Sequence, residues 1–453
     1  MRHFGHIPSA SRAGLFHQEP AEFTADSPAS TLAVALGATL YSPATRPRLA
    51  DDVRKQAARG VVSMVLCLED SIADTDVEAA ESNLVSQFAD LATGVSPAAT
   101  RAAADTARTA AEDPATRPGP GAGTDPGVPP GSGAGTDPGV PPGSGAGAAS
   151  GAGTAPGAGG VADVPLLFIR VREPRQITDL VARLGDHVRL LTGFVLPKFD
   201  ECRGRAFLEA LAEAERACGR RLFAMPVLES PELLHLETRA ATLAGIAAIV
   251  DKYRDRVLAL RLGVTDFCSA YGLRRSPDMT AYDVKIVAHV ISDVVNVLGR
   301  SDGSGFTITG PVWEYFRPGE RMFKPQLRRS PFLEGSAEDL RTALIEHDLD
   351  GLLREIELDR ANGLLGKTCI HPTHVVPVHA LSVVSHEEFS DAQDILRPER
   401  GAGGVMRSAY TNKMNEVKPH RAWAERTLLR AEVFGVARED VGFVDLLTAG
   451  LAG

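Results

Sequence analysis

Gly366-Lys367-Thr368-Cys369-Ile370-His371-Pro372 follows a charged, helical approach from Leu349 to Leu365 and carries a short apolar strand straight into a polar His-Pro loop. Several upstream runs end the same way. Leu66-Cys67-Leu68 passes into Glu69-Asp70, Leu196-Pro197 into Lys198, and Val227-Leu228 into Glu229. Chemistry-bearing side chains collected at successive strand ends point to an enzyme built on one rim of a parallel α/β fold.

Outward from this stretch, strand-like and helix-like segments alternate. The predicted strands are 32–41, 61–68, 165–171, 193–197, 223–228, 257–263, 305–310 and 367–370. Helical periodicity covers 46–59, 203–218, 231–250, 281–298 and 350–361. Eight βα units predict a TIM (β/α)8 barrel. A doubly wound open sheet is the alternative, because periodicity does not report closure.

Residues 92–163 interrupt this alternation with Ala, Gly, Pro, Ser and Thr, and the twelve-residue unit at 121–132 repeats at 133–144. Such a segment buries too little apolar surface to offset the entropy of ordering it, so it is expected to be a disordered insertion. The chain before it is too short to close a domain. One catalytic barrel is therefore expected from 31–91 and 164–379, preceded by an N-terminal segment at 1–30. A helical extension at 380–453 is expected to pack on the barrel or a neighbouring subunit, with a substrate lid as the sharper alternative.

With 453 residues the chain has ample material for such a core. The five cysteines, Cys67, Cys202, Cys218, Cys268 and Cys369, are scattered without a CxxC spacing, which argues against a disulfide framework or a thiolate zinc site. A reducing, cytoplasmic setting is expected. Residues 1–20 hold no continuous apolar region of the kind a secretory signal needs, and no run reaches the roughly 18 to 20 apolar residues of a membrane span. A formal net charge of −10 is the wrong sign for a general nucleic-acid binder.

Glu229 and Asp266 stand just past two neighbouring predicted strands, where parallel spacing of about 4.8 Å lets two carboxylates converge on one hard cation. Two carboxylates with water and a chelating substrate suit Mg²⁺. Each acid alone also reads as a helix cap, as does the Glu69-Asp70 pair. Arg170 and Arg172 follow the third strand, and one of them is expected to face the pocket with a planar fork for a carboxylate or a developing enolate. Lys198 adds a point charge. Arg46 and Arg48 lie at a strand-to-helix turn, placed to contact an anion or simply to face solvent.

Two stretches imitate other chemistries. Gly366-Lys367-Thr368 resembles the end of a P-loop, but Ala361 replaces the first glycine and a strand follows where a helix is required. His371 and His374 have no HExxH helix, so His371 reads as a substrate contact and not as a zinc ligand.

Taken together, Tyr41-Ser-Pro-Ala-Thr-Arg-Pro-Arg48, Leu68-Glu-Asp70, Ile169-Arg-Val171, Leu196-Pro-Lys198, Leu228-Glu-Ser230, Leu262-Gly-Val-Thr-Asp266 and Gly366–Pro372 resemble, in order, the citrate lyase β-subunit-like family within the HpcH/HpaI aldolase group. The resemblance implies a Mg²⁺-dependent barrel that makes or breaks a carbon–carbon bond in a small hydroxy or oxo acid or an acyl thioester, and a homo-oligomer. It implies Glu229 and Asp266 as metal ligands and Arg170 as the enolate-binding arginine. Glu69 and Asp70 then organise water and substrate, with Arg46, Arg172, Lys198 and His371 as substrate contacts. Thioester hydrolysis at the same metal site and a non-catalytic scaffold are the rival readings. Arg172 departs from the family's usual Asn, and Arg317, Arg321, Lys324, Arg328 and Arg329 add a basic run that is either a solvated face or a hold on a larger anionic substrate.

Overall fold

The apolar run at 32–41 is not one strand. In the computed structural model, Ala29–Ala35 is helical, the chain turns at Gly37 with φ +48°, and strand β1 occupies Ala38–Pro43. The run lacks any period because this helix is buried: Leu32, Val34 and Leu36 pack with Val62, Leu166, Phe223 and Leu258 beneath the strands. An apolar run of that length does not distinguish a buried helix from a buried strand. The structure describes residues 1–93, 164–316, 349–397 and 404–452. Positions 94–163 of the expected insertion, and the basic run from Arg317 to Arg329, lie outside the described residues.

Seven further strands run parallel to β1. They are β2 Ser63–Cys67, β3 Leu166–Arg170, β4 Leu191–Leu196, β5 Phe223–Leu228, β6 Leu260–Leu262, β7 Ile308–Thr309 and β8 Lys367–Cys369. Their order is sequential, with β8 returning to pair beside β1 through Ala38 and Lys367. At the closing seam, Gly310 bridges to Lys367, and its N–H donates to the Gly366 carbonyl at 3.0 Å. The sheet is thus closed, which excludes the doubly wound alternative.

Each strand is followed by a helix on the outside: α1 Leu49–Ala58, α2 Val77–Thr93, α3 Pro174–Leu184, α4 Glu201–Cys218, α5 Leu236–Lys252, α6 Lys285–Leu298, α7 Asp350–Ala361 and α8 Val375–Ser382. Local sequence sets their ends. Glu173 and Gln176 form a capping box ahead of Pro174, and Ile177, Leu180, Val181 and Leu184 give α3 its buried stripe. Asp200 accepts the Arg203 N–H to start α4, and Gly219 in the left-handed region ends it.

The C-terminal extension contains α9 His386–Leu396, α10 Val417–Phe434 and α11 Phe443–Ala452. Val433 and Phe434 of α10 join the apolar cluster of Val34 and Leu36 at the N-terminal ends of the strands. A lid over the strand ends that carry the acids is therefore not its position. The end of its apolar stripe packs at the barrel floor, while Ala424 and Ala431 pack against Phe389, Ala392 and Ile395 of α9. No helix among the described residues is long and apolar enough to cross a membrane.

Candidate active site

The strand register decides which side chains enter the barrel. Cys67 on β2 is level with Arg170 on β3, which is level with Val195 on β4, and alternate residues below them point the same way. Lower in the barrel, Arg261 is buried to 1% exposure, donating to Thr368 Oγ1 at 2.6 Å and Thr39 Oγ1 at 3.4 Å. Its guanidinium lies 5.5 Å from the Tyr41 ring centre. Arg261 and its two threonines are thus a polar insert in an interior otherwise filled by Val65, Phe168, Val195 and Met225, and the chemistry-bearing groups stand above it.

At the C-terminal rim, Arg170 gathers three acids on one nitrogen. Its Nη2 lies 2.7 Å from Glu69 Oε2, 2.9 Å from Asp70 Oδ2 and 3.1 Å from Glu229 Oε1. Burial opposes the charge on Arg170, but Glu229 and its other neighbours outweigh burial and raise its pKa. Lys198 completes the cluster: Nζ donates to Glu69 Oε1 at 2.8 Å, and its backbone N–H donates to Glu229 Oε1 at 2.8 Å. That amide is aimed by an unusual backbone, since Lys198 has φ +49°. A non-glycine residue in this region carries strain of about 1 to 2 kcal/mol.

The three carboxylates differ in environment. Burial would raise the Glu69 pKa, but the hydrogen bond from Asp70, with Arg170 and Lys198, holds it down to about 2. Asp70 is pushed up to about 6 by burial and by Glu69. Glu229, 4% exposed, is pushed up to about 7, chiefly by burial and further by the negative charge of Asp266, with Arg170 opposing. Glu229 and Asp266 are thus electrostatic neighbours, as their positions after β5 and β6 predict. Gly263, just before the short helix Val264–Ser269 that carries Asp266, leaves room for Glu229: a Cβ there would sit 2.5 Å from Glu229 Oε2.

Glu69, Asp70, Arg170, Lys198 and Glu229 are therefore in direct contact, with Asp266 near enough for its charge to act on Glu229. Three other expected contacts are not part of the cluster. Arg172 points to the loop after β2, where Nε donates to the Leu68 carbonyl at 2.6 Å and Nη2 to the Ile72 carbonyl at 3.1 Å, and it pairs with Asp74. Arg172 lies two residues beyond Arg170, where β3 has already ended, so strand parity does not orient it, and these bonds tie it to the loop that carries Glu69 and Asp70. Arg46 is exposed and paired with Asp52 of α1 at 2.5 Å. His371 stacks on Phe316, with ring centres 4.5 Å apart, and its Nδ1 faces Thr373 Oγ1 at 2.7 Å.

Tyr41 is the group whose role sequence reasoning missed. Burial raises its pKa while Arg261 and Arg170 act against the shift, so its hydroxyl stays protonated between the two guanidiniums. Its inward parity on β1 was the available signal. Lys367, in the P-loop-like stretch, is not a phosphate ligand: it is buried at 1% exposure, with Nζ 2.8 Å from Glu355 Oε1 and 2.6 Å from Asp359 Oδ2.

The family described as C-C bond lyase of the TIM-barrel fold matches residues 30–106 and 154–436. The chain belongs to this family of carbon–carbon bond lyases. No curated protein matches it. Among solved structures, it is similar to the protein CitE from Mycobacterium tuberculosis in complex with magnesium, acetoacetate and coenzyme A, at 18% identity over 87% of this chain and 97% of that one, TM-score 0.44. The citrate lyase β subunit of the same organism, with oxaloacetate and magnesium, is 16% identical over 76% and 96%, TM-score 0.37. A Haloferax volcanii malate synthase with magnesium and glyoxylate is 13% identical over 75% and 73%, TM-score 0.42.

Proposed function

We propose that this lyase is Mg²⁺-dependent and acts on a small hydroxy or oxo acid, or an acyl thioester, making or breaking the bond next to its carbonyl through an enolate. The observation that carries the reading is the convergence of Arg170 with Glu229, Glu69 and Asp70 beside Asp266.

Glu229 and Asp266 fit the cation. They form a hard, all-oxygen donor pair, and the charge of Asp266 acts directly on the buried Glu229 carboxyl. Two carboxylates would leave the ion's remaining positions to water and substrate. Bound there, Mg²⁺ would polarise the substrate carbonyl as a Lewis acid.

The protein's own groups supply the remaining chemistry. In the cleavage direction Asp70, half exposed and with its pKa near 6, accepts the proton of the substrate hydroxyl. The carbon–carbon bond breaks, its electron pair moves to the carbonyl oxygen of the departing half, and the guanidinium of Arg170 stabilises the negative charge that develops there. The resulting enolate takes up a proton at carbon. Glu69, ionised throughout, holds Arg170 and Lys198 in place.

Deuterium exchange into the methyl group of pyruvate in D₂O, followed by NMR, tests enolate formation directly. The reading expects exchange that requires Mg²⁺ and disappears in Arg170→Met. Absence of exchange in the Mg²⁺-loaded wild type contradicts it. With an acyl thioester substrate, release of a carbonyl product supports lyase chemistry, and release of free thiol alone supports hydrolysis.

A further inference from the structure

At the opposite end of the barrel, the floor formed before β7 and β8 and the flank of α10 enclose a second cleft of about 620 Å³. Four arginines line it, Arg300, Arg360, Arg426 and Arg430, against a single carboxylate, Glu388. Glu388 serves two of them: Oε1 pairs with Arg360, and Oε2 accepts from Arg430 Nη2 at 2.8 Å. Arg426 Nη2 meets only backbone carbonyls here, Gly299 at 3.1 Å and Arg300 at 3.4 Å. Arg300 Nε meets the Asn296 carbonyl at 2.9 Å. The lining therefore carries an excess of positive charge.

Arg430 strengthens the case. It is 9% exposed, and its Nε is buried with no hydrogen-bond partner. Burial, and then the nearby charge of Arg360, pull its pKa down to about 10. Arg430 and Arg360 share the one Glu388 carboxylate, so this pair of guanidiniums is only half neutralised, and it gains from an incoming anion. Trp423, 39% exposed, stands on the same wall, and Phe306 and Leu364 contribute apolar surface. Forked cationic donors beside an open aromatic face and an apolar floor suit a ligand with a phosphate at one end and a flat ring at the other. The volume is that of a small-molecule site.

The geometry points to a second binding site on the N-terminal face of the barrel, which takes a small phosphorylated molecule bearing a planar ring, its phosphate on the arginines and its ring on Trp423. Nothing in the site depends on the lyase chemistry at the other rim.

Only two tryptophans exist, and Trp313 is buried at 1% exposure, so Trp423 is the solvent-facing reporter. The full-length chain is titrated with adenosine 5′-monophosphate while tryptophan emission is followed, with adenosine as the phosphate-free control. Saturable quenching by the nucleotide, not matched by adenosine, is expected. Arg426→Gln, an exposed change that leaves the fold intact by circular dichroism, is expected to weaken it about tenfold or more. Trp423→Phe removes the signal but keeps binding in calorimetry. Absence of saturation, equal response to adenosine, or unchanged affinity in Arg426→Gln overturns the site. Emission that follows protein concentration and ignores the nucleotide also overturns it, by showing a contact between copies.

Discussion

Arg170 and Glu229 meet at 3.1 Å across the barrel mouth, from the ends of β3 and β5, and the same Arg170 nitrogen holds the two acids that follow β2. One cation thus ties three strand ends together. Removing it leaves Glu69 and Glu229 buried with too few partners. Arg170→Met is expected to lower unfolding stability by about 3 to 5 kcal/mol at neutral pH. Arg170→Lys keeps the charge and loses the fork, so it should destabilise less yet still reduce turnover by about 100-fold or more. Urea unfolding alongside steady-state assays checks both.

Lys198→Gly separates stability from activity. Glycine adopts φ +49° without strain, so the backbone gains about 1 kcal/mol, offset in part by loss of the Nζ contact to Glu69. Stability close to wild type with reduced turnover is the expected pair of results. A loss of several kcal/mol in chemical unfolding would show that the ammonium, not the amide, holds the rim.

Lys367 lies between Glu355 and Asp359, and Arg275 Nη1 meets the other Glu355 oxygen at 2.7 Å. This buried network clamps α7 to β8. Lys367→Met should destabilise by about 3 to 5 kcal/mol at pH 7, because two interior carboxylates lose a counter-charge. Asp359 already has its pKa lifted to about 6, mainly by burial. The variant's deficit should therefore shrink between pH 7 and pH 5 as the carboxyls take up protons, which unfolding curves at the two pH values would show.

Acid sensitivity should come partly from His3, packed against Phe434 with ring centres 4.2 Å apart and bonded through Nε2 to the Ala35 carbonyl at 3.1 Å. Burial lowers its pKa to about 3 despite that bond. The unfolded chain, titrating near 6.5, then binds a proton that the folded chain refuses. Stability is full above about pH 6.5 and falls on acidification towards pH 3, by up to about 1.4 kcal/mol per pH unit from this residue. His3→Phe should flatten that slope in thermal melts between pH 6.5 and 4, with a loss of about 1 kcal/mol at neutral pH from the unpaired Ala35 carbonyl.

The barrel was legible because buried parallel strands leave near-continuous apolar runs, and because Glu69, Arg170, Lys198, Glu229 and Asp266 each stand where such a run stops. Residues 350–361 were predicted as helical and are so in the structure. Signals failed where one pattern serves two structures. The floor helix at Ala29–Ala35 is uniformly apolar and buried from Leu32 to Ala35, and that run reads as strand. Arg172 carries the same charge as Arg170 and the same parity, and only the end of β3 at Arg170 frees it to become a loop anchor. The positive φ of Lys198 left no trace in composition, because lysine rarely adopts it. Arg261 and Tyr41 read as ordinary strand residues until closure of the sheet turned them inward.

The central claim is that Glu229 and Asp266 share one divalent ion next to Arg170. Calorimetric titration of Mg²⁺ into the full-length chain, with oxalate present, tests it most directly. The account predicts saturable Mg²⁺ binding in the wild type, weakened about tenfold or more in both Glu229→Gln and Asp266→Asn, with each variant still folded. Mg²⁺ binding that survives unchanged in both variants, or that is absent from the wild type, would contradict it.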